Sequence, residues 1–177
     1  PGVFLKGTVL ELLNTSHLVR DFDCGEPELN QYLRIEAAIH HKQGLSQTHV
    51  LRRTRDNKIL AYVTLAAGVI LVNAGEDGPK PSAVLNLGYV ARDLSIRDNA
   101  VGKSLVNWVK HLAETLSSFV RIRGVMLSCY KGREEFYKSL LFEAITPWAT
   151  EPGSGREQWT MFYELPIISS APLPPII

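Results

Sequence analysis

The chain has 177 residues, 19 Lys and Arg against 18 Asp and Glu, and a formal net charge of +1. That length holds one domain with a substantial core, and the near-zero charge excludes a global field that would draw the chain to nucleic acid or to an anionic membrane. No apolar run reaches the ~18 residues of a membrane span, no leader is visible, and Cys24 and Cys129 have no metal-like spacing, so both are read as reduced thiols of a cytoplasmic protein.

Phe4 to Leu13 reads as a first strand and Asn14 to His17 as a turn. Pro27 suits the first turn of a helix, and Glu26 and Glu28 suit its positive end. Leu29, Leu33 and Ala37 fall on one face, so the helix is expected to run to about Lys42 and to stop at Gly44. His49 to Leu51 and Ile59 to Gly68 read as a strand hairpin, with the second strand continuing through Val72. The Gly/Pro-rich stretch Asn73 to Ser82 reads as a solvated loop before a strand region from Val84 to Ile96.

The segment Val90 to Phe142 organises the rest. A strand ending in Leu94-Ser95-Ile96 is followed by a polar break, Arg97-Asp98-Asn99, and then by Val101-Gly102-Lys103-Ser104-Leu105-Val106, which opens a helix. Leu105, Val109, Leu112 and Leu116 share one face of it. A glycine-containing turn feeding a helix N-terminus presents unpaired N–H groups and the positive end of a dipole, a natural seat for phosphate; a plain strand-to-helix connection would have the same pattern. Val125 to Cys129 reads as a buried strand, in which Cys129 is core, and Tyr130 to Leu140 as a short helix. Glu143 to Thr146 and Gln158 to Leu165 read as strands, with a loop over Glu151 to Gly155. The stretch 166–177, with Pro172, Pro174 and Pro175, sustains neither helix nor central strand and reads as an extended apolar arm.

This order of elements resembles the GNAT superfamily of acetyl-CoA-dependent N-acetyltransferases. There a strand precedes Gln/Arg-x-x-Gly-x-Gly/Ala, whose backbone amides hold the CoA pyrophosphate, and a later Phe-Tyr-x-x-x-Gly-Phe supplies a tyrosine that protonates the departing thiolate. Phe136-Tyr137-Lys138-Ser139-Leu140-Leu141-Phe142 matches the second pattern, with Leu141 at the glycine. For the first, Gly102, Lys103 and Leu105 match the common Gln-Gly-Lys-Gly-Leu-Gly version, while Val101, Ser104 and Val106 depart from it. The β-branched Val106 at a position that is small in the family predicts a weakened pyrophosphate seat. The segment Phe22-Asp23-Cys24-Gly25, followed by Leu29-x-x-Tyr32-Leu33, is similar to the N-terminus of the GNAT toxins of type II toxin–antitoxin systems.

The resemblance implies an α/β (α+β) GNAT fold over residues 1–165: a mixed central sheet of six to seven strands flanked by about four helices, with 166–177 as a tail. It implies acetyl-CoA as donor, Leu94, Ser95 and Ile96 as backbone partners of the thioester, Val101 to Val106 as the pyrophosphate loop and Tyr137 as general acid. As in the toxins, the acceptor would be a primary amine such as that of an aminoacyl-tRNA, and a ribbon-helix-helix antitoxin would be the partner; a homodimer stays open. RNA would need Arg34, His40, His41, Lys42, Arg52, Arg53, Arg55, Arg121 and Arg123 gathered on one face, against the plainer reading of solvated charges. His40 and His41 point about 100° apart on a helix, so with His49 they are expected to hold no metal. Neither Asp93 nor Asp98 is assigned as a base. The alternative to a transferase is a GNAT fold that has lost acetyl-CoA and serves as a binding or structural module, a reading favoured by Val101, Val106 and Leu141.

Overall fold

The computed structural model describes residues 6–73, 75–96, 100–146, 149–150 and 155–166. The polar break 97–99, most of the loop at 151–155 and the arm beyond Pro166 lie outside them. Eight strands form one mixed sheet: β1 (Thr8–Leu12), β2 (Gln47–Arg53), β3 (Ile59–Asn73), β4 (Pro79–Arg92), β5 (Gly124–Tyr130), β6 (Glu143–Ala144), β7 (Ala149–Thr150) and β8 (Glu157–Glu164). Their order is β1-β2-β3-β4-β5-β8-β6, with β7 also on β8. Because β5 fills one edge of β8, β6 and β7 share the other, and the eight strands occupy seven positions. All pairings are antiparallel except β4–β5.

The N-terminal helix runs through α1 (Pro27–Gln31), a π turn (Tyr32–Glu36) and α2 (Ala37–Lys42). Pro27 stands at its start, and Gly44 closes it with φ +69°, its N–H donating to the His41 carbonyl while the Leu45 N–H donates to that of His40. The other helices are α3 (Ala100–Ser117) and α4 (Glu134–Lys138). α4 is shorter than the expected Tyr130–Leu140 helix: β5 continues through Tyr130, and Gly132 turns the chain with φ +90°.

The expected loop at Asn73 to Ser82 is mostly strand. β3 and β4 pair from Asn73↔Pro79 inward, and only a short 3-10 turn (Gly75–Asp77) joins them. Pro79 and Pro81 lie two residues apart and face the same way. Here β4 lies outside its ladder with β5, which begins at Leu85, so the missing N–H groups cost no sheet bond.

Alternation along the strands sends residues to two cores. On one face, α3 lays Val101, Leu105, Val106, Val109 and Ala113 onto Leu51, Ala61, Val63, Leu65, Leu85, Leu87, Val125 and Leu127. On the other face, the N-terminal helix lays Tyr32, Leu33 and Ala37 onto Val50, Ile59, Tyr62 and Ala91, joined by Phe22.

Candidate active site

The organising feature is where β4 and β5 part. Their parallel ladder covers only Leu85↔Val125 to Leu87↔Leu127, yet β4 runs on to Arg92 and β5 to Tyr130. At the same level, the β3–β4 register slips: Val63 faces Val90 and Leu65 faces Leu87, so Gly88 and Tyr89 both stand opposite Thr64. That is a β-bulge, which bends the strand and increases its twist. It also reverses the alternation. Leu85 and Leu87 pack toward α3, and beyond the bulge Val90 does so, while Ala91 joins the core of the opposite face. The result is a wedge between two strands of one sheet, with the first turn of α3 and the helix α4 attached to its walls.

The strand ends earlier than the sequence reading has it. Leu94, Ser95 and Ile96 lie past β4 in a turn, and all three amides are engaged: Leu94 N–H with the Asp23 carbonyl (2.8 Å), Ser95 N–H with Asp93 Oδ1 (2.9 Å) and Ile96 N–H with the Asp93 carbonyl (3.0 Å). None is available to a thioester oxygen. The strand residues that border the wedge are instead Gly88 to Arg92.

The helix start also differs. α3 begins at Ala100, so Val101 and Gly102 lie in its first turn, where N–H groups have no acceptor within the helix. Ser104, Leu105 and Val106 lie beyond that turn, and their N–H groups belong to the helix's own ladder. Val106 is 0% exposed and its side chain is engaged in the α3 core. The i, i+4 spacing of Val101, Leu105 and Val109 was the available signal that these residues line the core face. The first turn carries no acidic residue, and Gly102 packs its bare Cα against the Phe136 ring, which an added Cβ would meet at 3.4 Å.

Tyr137 stands on α4, half-buried, with its ring edge-on to Phe136 (5.0 Å) and to Phe142 (5.9 Å). Burial, and after it the neighbouring Cys129 thiol, push its phenol up to about 12. It therefore holds its proton throughout the neutral range. Burial likewise pushes Cys129 up to about 11, which leaves a protonated thiol with little nucleophilic character. The backbone after α4 turns back sharply: Phe142 N–H donates to the Tyr137 carbonyl, and Leu141 adopts φ +66°. A left-handed residue is thus required where the family pattern has glycine.

Asp93 joins the two sides of the molecule. It is 2% exposed, receives the Asp23 N–H, the Ser95 N–H and the Ser95 hydroxyl, and pairs with Lys58 Nζ at 3.0 Å. Burial alone would raise its carboxyl, but these donors outweigh burial and hold it below the usual range. Asp23 in turn accepts from Gly25 N–H and Asn30 Nδ2. The Asp23–Gly25 segment, singled out in the sequence, is thereby fastened to the end of β4.

Several of the basic residues are engaged locally. Arg34 donates to the Phe22 carbonyl, Arg52 pairs with Glu11, Arg53 with Asp56 and Arg123 with Glu164. His40 packs on Tyr32 and His49 on Trp108, on opposite faces of the sheet. No group of three His, Cys, Asp or Glu among the described residues is placed to hold a metal ion, and no helix among them is long and apolar enough to cross a membrane.

No protein-family model matches the chain. It is 28% identical over 141 residues to a tRNA-acetylating toxin of Mycobacterium tuberculosis, a span covering 76% of this chain and 81% of that protein. Among solved structures, it is similar to a tyrosine-to-phenylalanine mutant of the toxin AtaT bound to the C-terminus of the antitoxin AtaR and acetyl-CoA (TM-score 0.72, 23% identity, 89% of this chain and 94% of that one). It is also similar to AtaT complexed with acetyl-methionyl-tRNAfMet (TM-score 0.73, 22% identity, 89% and 94%). The chain has the fold of these GNAT toxins, and the resemblance drawn from its motifs extends over most of its length.

Proposed function

We propose that the chain is an acetyl-CoA-dependent N-acetyltransferase whose acceptor is the amino group of an aminoacyl-tRNA, and that a cognate antitoxin holds it in check. The observation that carries this reading is the wedge. A bulge at Gly88–Tyr89 parts β4 from β5, and its two walls lead to the start of α3 and to a proton-bearing Tyr137. The chain that carries this arrangement is itself 28% identical over 141 residues to a tRNA-acetylating toxin. AtaT, which shares the fold, has been captured with both acetyl-CoA and an acetylated aminoacyl-tRNA.

The residues present fit the donor. The first turn of α3, which contains no acidic residue, offers the N–H groups of Val101 and Gly102 to a pyrophosphate. Ending the Gln/Arg-x-x-Gly-x-Gly/Ala pattern at Gly102 instead of Val106 puts Arg97 at its first position, Ala100 and Gly102 at its two small ones. The pattern is then complete apart from one methyl group. The Val90 amide, just past the bulge, takes the role first assigned to Leu94–Ile96 and polarises a carbonyl oxygen lying in the wedge. When bound, acetyl-CoA supplies an acetyl group activated as a thioester. The attacking amine must be neutral, which an α-amino group with a pKa near ~7.7–8.0 achieves without a strong base. Tyr137 delivers its proton to the departing sulfur, and the proton shed by the acylated nitrogen passes to solvent, from which the phenolate is reprotonated.

Calorimetric titration of acetyl-CoA, followed by transfer of labelled acetyl to charged tRNA, tests the reading. Binding at micromolar concentration with acetylation of the charged tRNA is expected. Absence of binding by the intact chain would return the protein to the class of non-catalytic modules. The ground for that alternative is weaker than the sequence suggests, because Val106 is a core residue and Leu141 lies outside the wedge at 71% exposure.

A further inference from the structure

Lys110 stands on α3, about two turns past Gly102, and is half-buried. Burial lowers its pKa, and Glu114, one turn along the same helix, works the other way. A cation in such a place carries a desolvation cost that a leucine or methionine would not, so its contacts are informative. Its Nζ donates to the Leu140 carbonyl at 3.0 Å and lies 3.7 Å from the centre of the Tyr163 ring, within cation–π range. Both partners belong to the surroundings of Tyr137. The Leu140 carbonyl is part of the peptide plane that precedes Leu141, the residue held at φ +66°. The Leu140 and Phe142 N–H groups both donate to the Tyr137 carbonyl, at 2.9 and 3.1 Å. Tyr163 packs on Phe142 (5.7 Å), and Phe142 on Tyr137 (5.9 Å).

On the basis of the acetyl transfer proposed above, we infer that Lys110 is a positioning residue for its acid: Lys110 clamps the turn after α4 and so fixes where the Tyr137 hydroxyl points. α4 has five residues and no side-chain cap at its start, too short a helix to keep its direction unaided. It is fastened to α3 at two places. Gly102 meets the Phe136 ring at one, and Lys110 holds the Leu140 carbonyl at the other. Eight residues of helix separate these attachments, or roughly 12 Å, and Tyr137 lies between them in the chain. One attachment would let α4 pivot, whereas two fix its angle. Leu141 gives the second attachment its importance. A left-handed leucine is strained, so the turn would relax if the peptide before it were free, and Lys110 grips that peptide. An uncharged side chain of the same length would fill the volume but withdraw the donor from the carbonyl of a buried residue. Misplacing a reacting group by ~1 Å costs on the order of 10²-fold in rate, so a small rotation of α4 is enough to matter.

A double-mutant cycle tests this role. Lys110→Met keeps an apolar stem of similar length and removes the donor. In the wild-type background it should lower kcat roughly 10–100-fold, with KM for acetyl-CoA and for charged tRNA close to wild type. In a Tyr137→Phe background the same change should lower kcat by less than about twofold, because the group that it positions is gone. An equal fall in both backgrounds, or a rise in KM with kcat unchanged, would overturn the inference. A second readout needs no turnover. Fluorine NMR of protein carrying fluorotyrosine at its six tyrosines contains one resonance that Tyr137→Phe removes and so assigns. Lys110→Met should shift or broaden that resonance and leave those of Tyr32 and Tyr62, on the other face of the sheet, in place. An unmoved Tyr137 resonance would also overturn the inference. Absence of acetyl transfer by the wild-type chain would instead remove the transferase reading, and the resonance would still decide whether Lys110 places Tyr137.

Discussion

The two faces of the sheet are made of different materials. Beneath α3 the buried side chains are mainly aliphatic, with Phe142, Cys129 and Met161 the exceptions, and contact there is a matter of volume and shape. Beneath the N-terminal helix, rings and polar groups dominate: Phe22, Tyr32 and Tyr62 pack together, the Tyr62 hydroxyl donates to the Leu29 carbonyl, Thr48 and Thr64 share a hydrogen bond, and Asp93 holds four donors. Burying polar atoms adds little net stability, but leaving them unpartnered costs a great deal, so such a face specifies one arrangement. The α3 face supplies cohesion and carries the proposed acid Tyr137. The other face fixes where the N-terminal segment lies relative to the end of β4.

Tyr137→Phe gives the largest expected effect on this contrast. Turnover should fall by roughly 10²–10⁴-fold, while acetyl-CoA affinity measured by calorimetry and the melting temperature stay close to wild type. Because the phenol is held up to about 12, the wild-type rate should rise through the pKa of the amine and then stay level to at least pH 9.5. A fall below that pH would remove Tyr137 as the acid. Val106→Gly comes next. It deletes a wholly buried side chain and places glycine inside a helix, for a loss of about 3 kcal/mol that chemical denaturation would register. Restored or improved acetyl-CoA binding in that variant would favour the discarded register.

On the polar face, Asp93→Ala strands the Asp23 and Ser95 N–H groups and leaves Lys58 without its partner. A loss of about 2 kcal/mol is expected, moderated because Lys58 reaches solvent. The pH dependence follows from the direction of the shift: a carboxyl lowered in the folded state contributes stability above its unfolded value near ~3.9, lost as pH falls through the folded value. Wild type should therefore lose more stability between pH 5 and pH 3 than Asp93→Ala; parallel curves would show that Asp93 is not held as described. The smallest effect is a gain. Leu141→Gly relieves a left-handed leucine at an exposed position and should stabilise the protein by about 1 kcal/mol, or roughly 2–4 °C in melting temperature.

Most of the architecture was legible because it is written in periodicities. Pro27 and Gly44 bound the N-terminal helix in the sequence as in the structure, and the alternation of the β3 region and the α3 face marked the core. What escaped was register. Leu94 and Ile96 in the turn after Asp93 continue the apolar character of the strand, so the sequence reading runs β4 to Ile96 instead of Arg92, and the proposed oxyanion partners shift accordingly. The dipeptide Gly102-Lys103 matches a Gly-Lys in the family pattern, which sets the phosphate loop of the sequence reading one helical turn downstream of the register proposed above. The Asn73–Ser82 stretch misled for another reason: prolines usually argue against a strand, but these two lie where the strand has no ladder with β5. The proposed acid Tyr137 rests on a Phe-Tyr pair and Phe142 that lie in one short stretch, so an error in strand register elsewhere does not displace it.

The bond from the Asp23 N–H to the Asp93 carboxylate joins residues 70 apart, and so says something about the order in which the protein assembles. Closing that span costs roughly 2 kcal/mol more chain entropy than closing the short β3–β4 hairpin, and neither partner is held in place until the hairpin and the N-terminal helix exist. The clasp is therefore expected to close after the rate-limiting step of folding. Its removal should leave the folding limb of a chevron nearly unchanged and raise the unfolding limb without changing its slope, because the clasp acts almost wholly to keep the finished molecule shut.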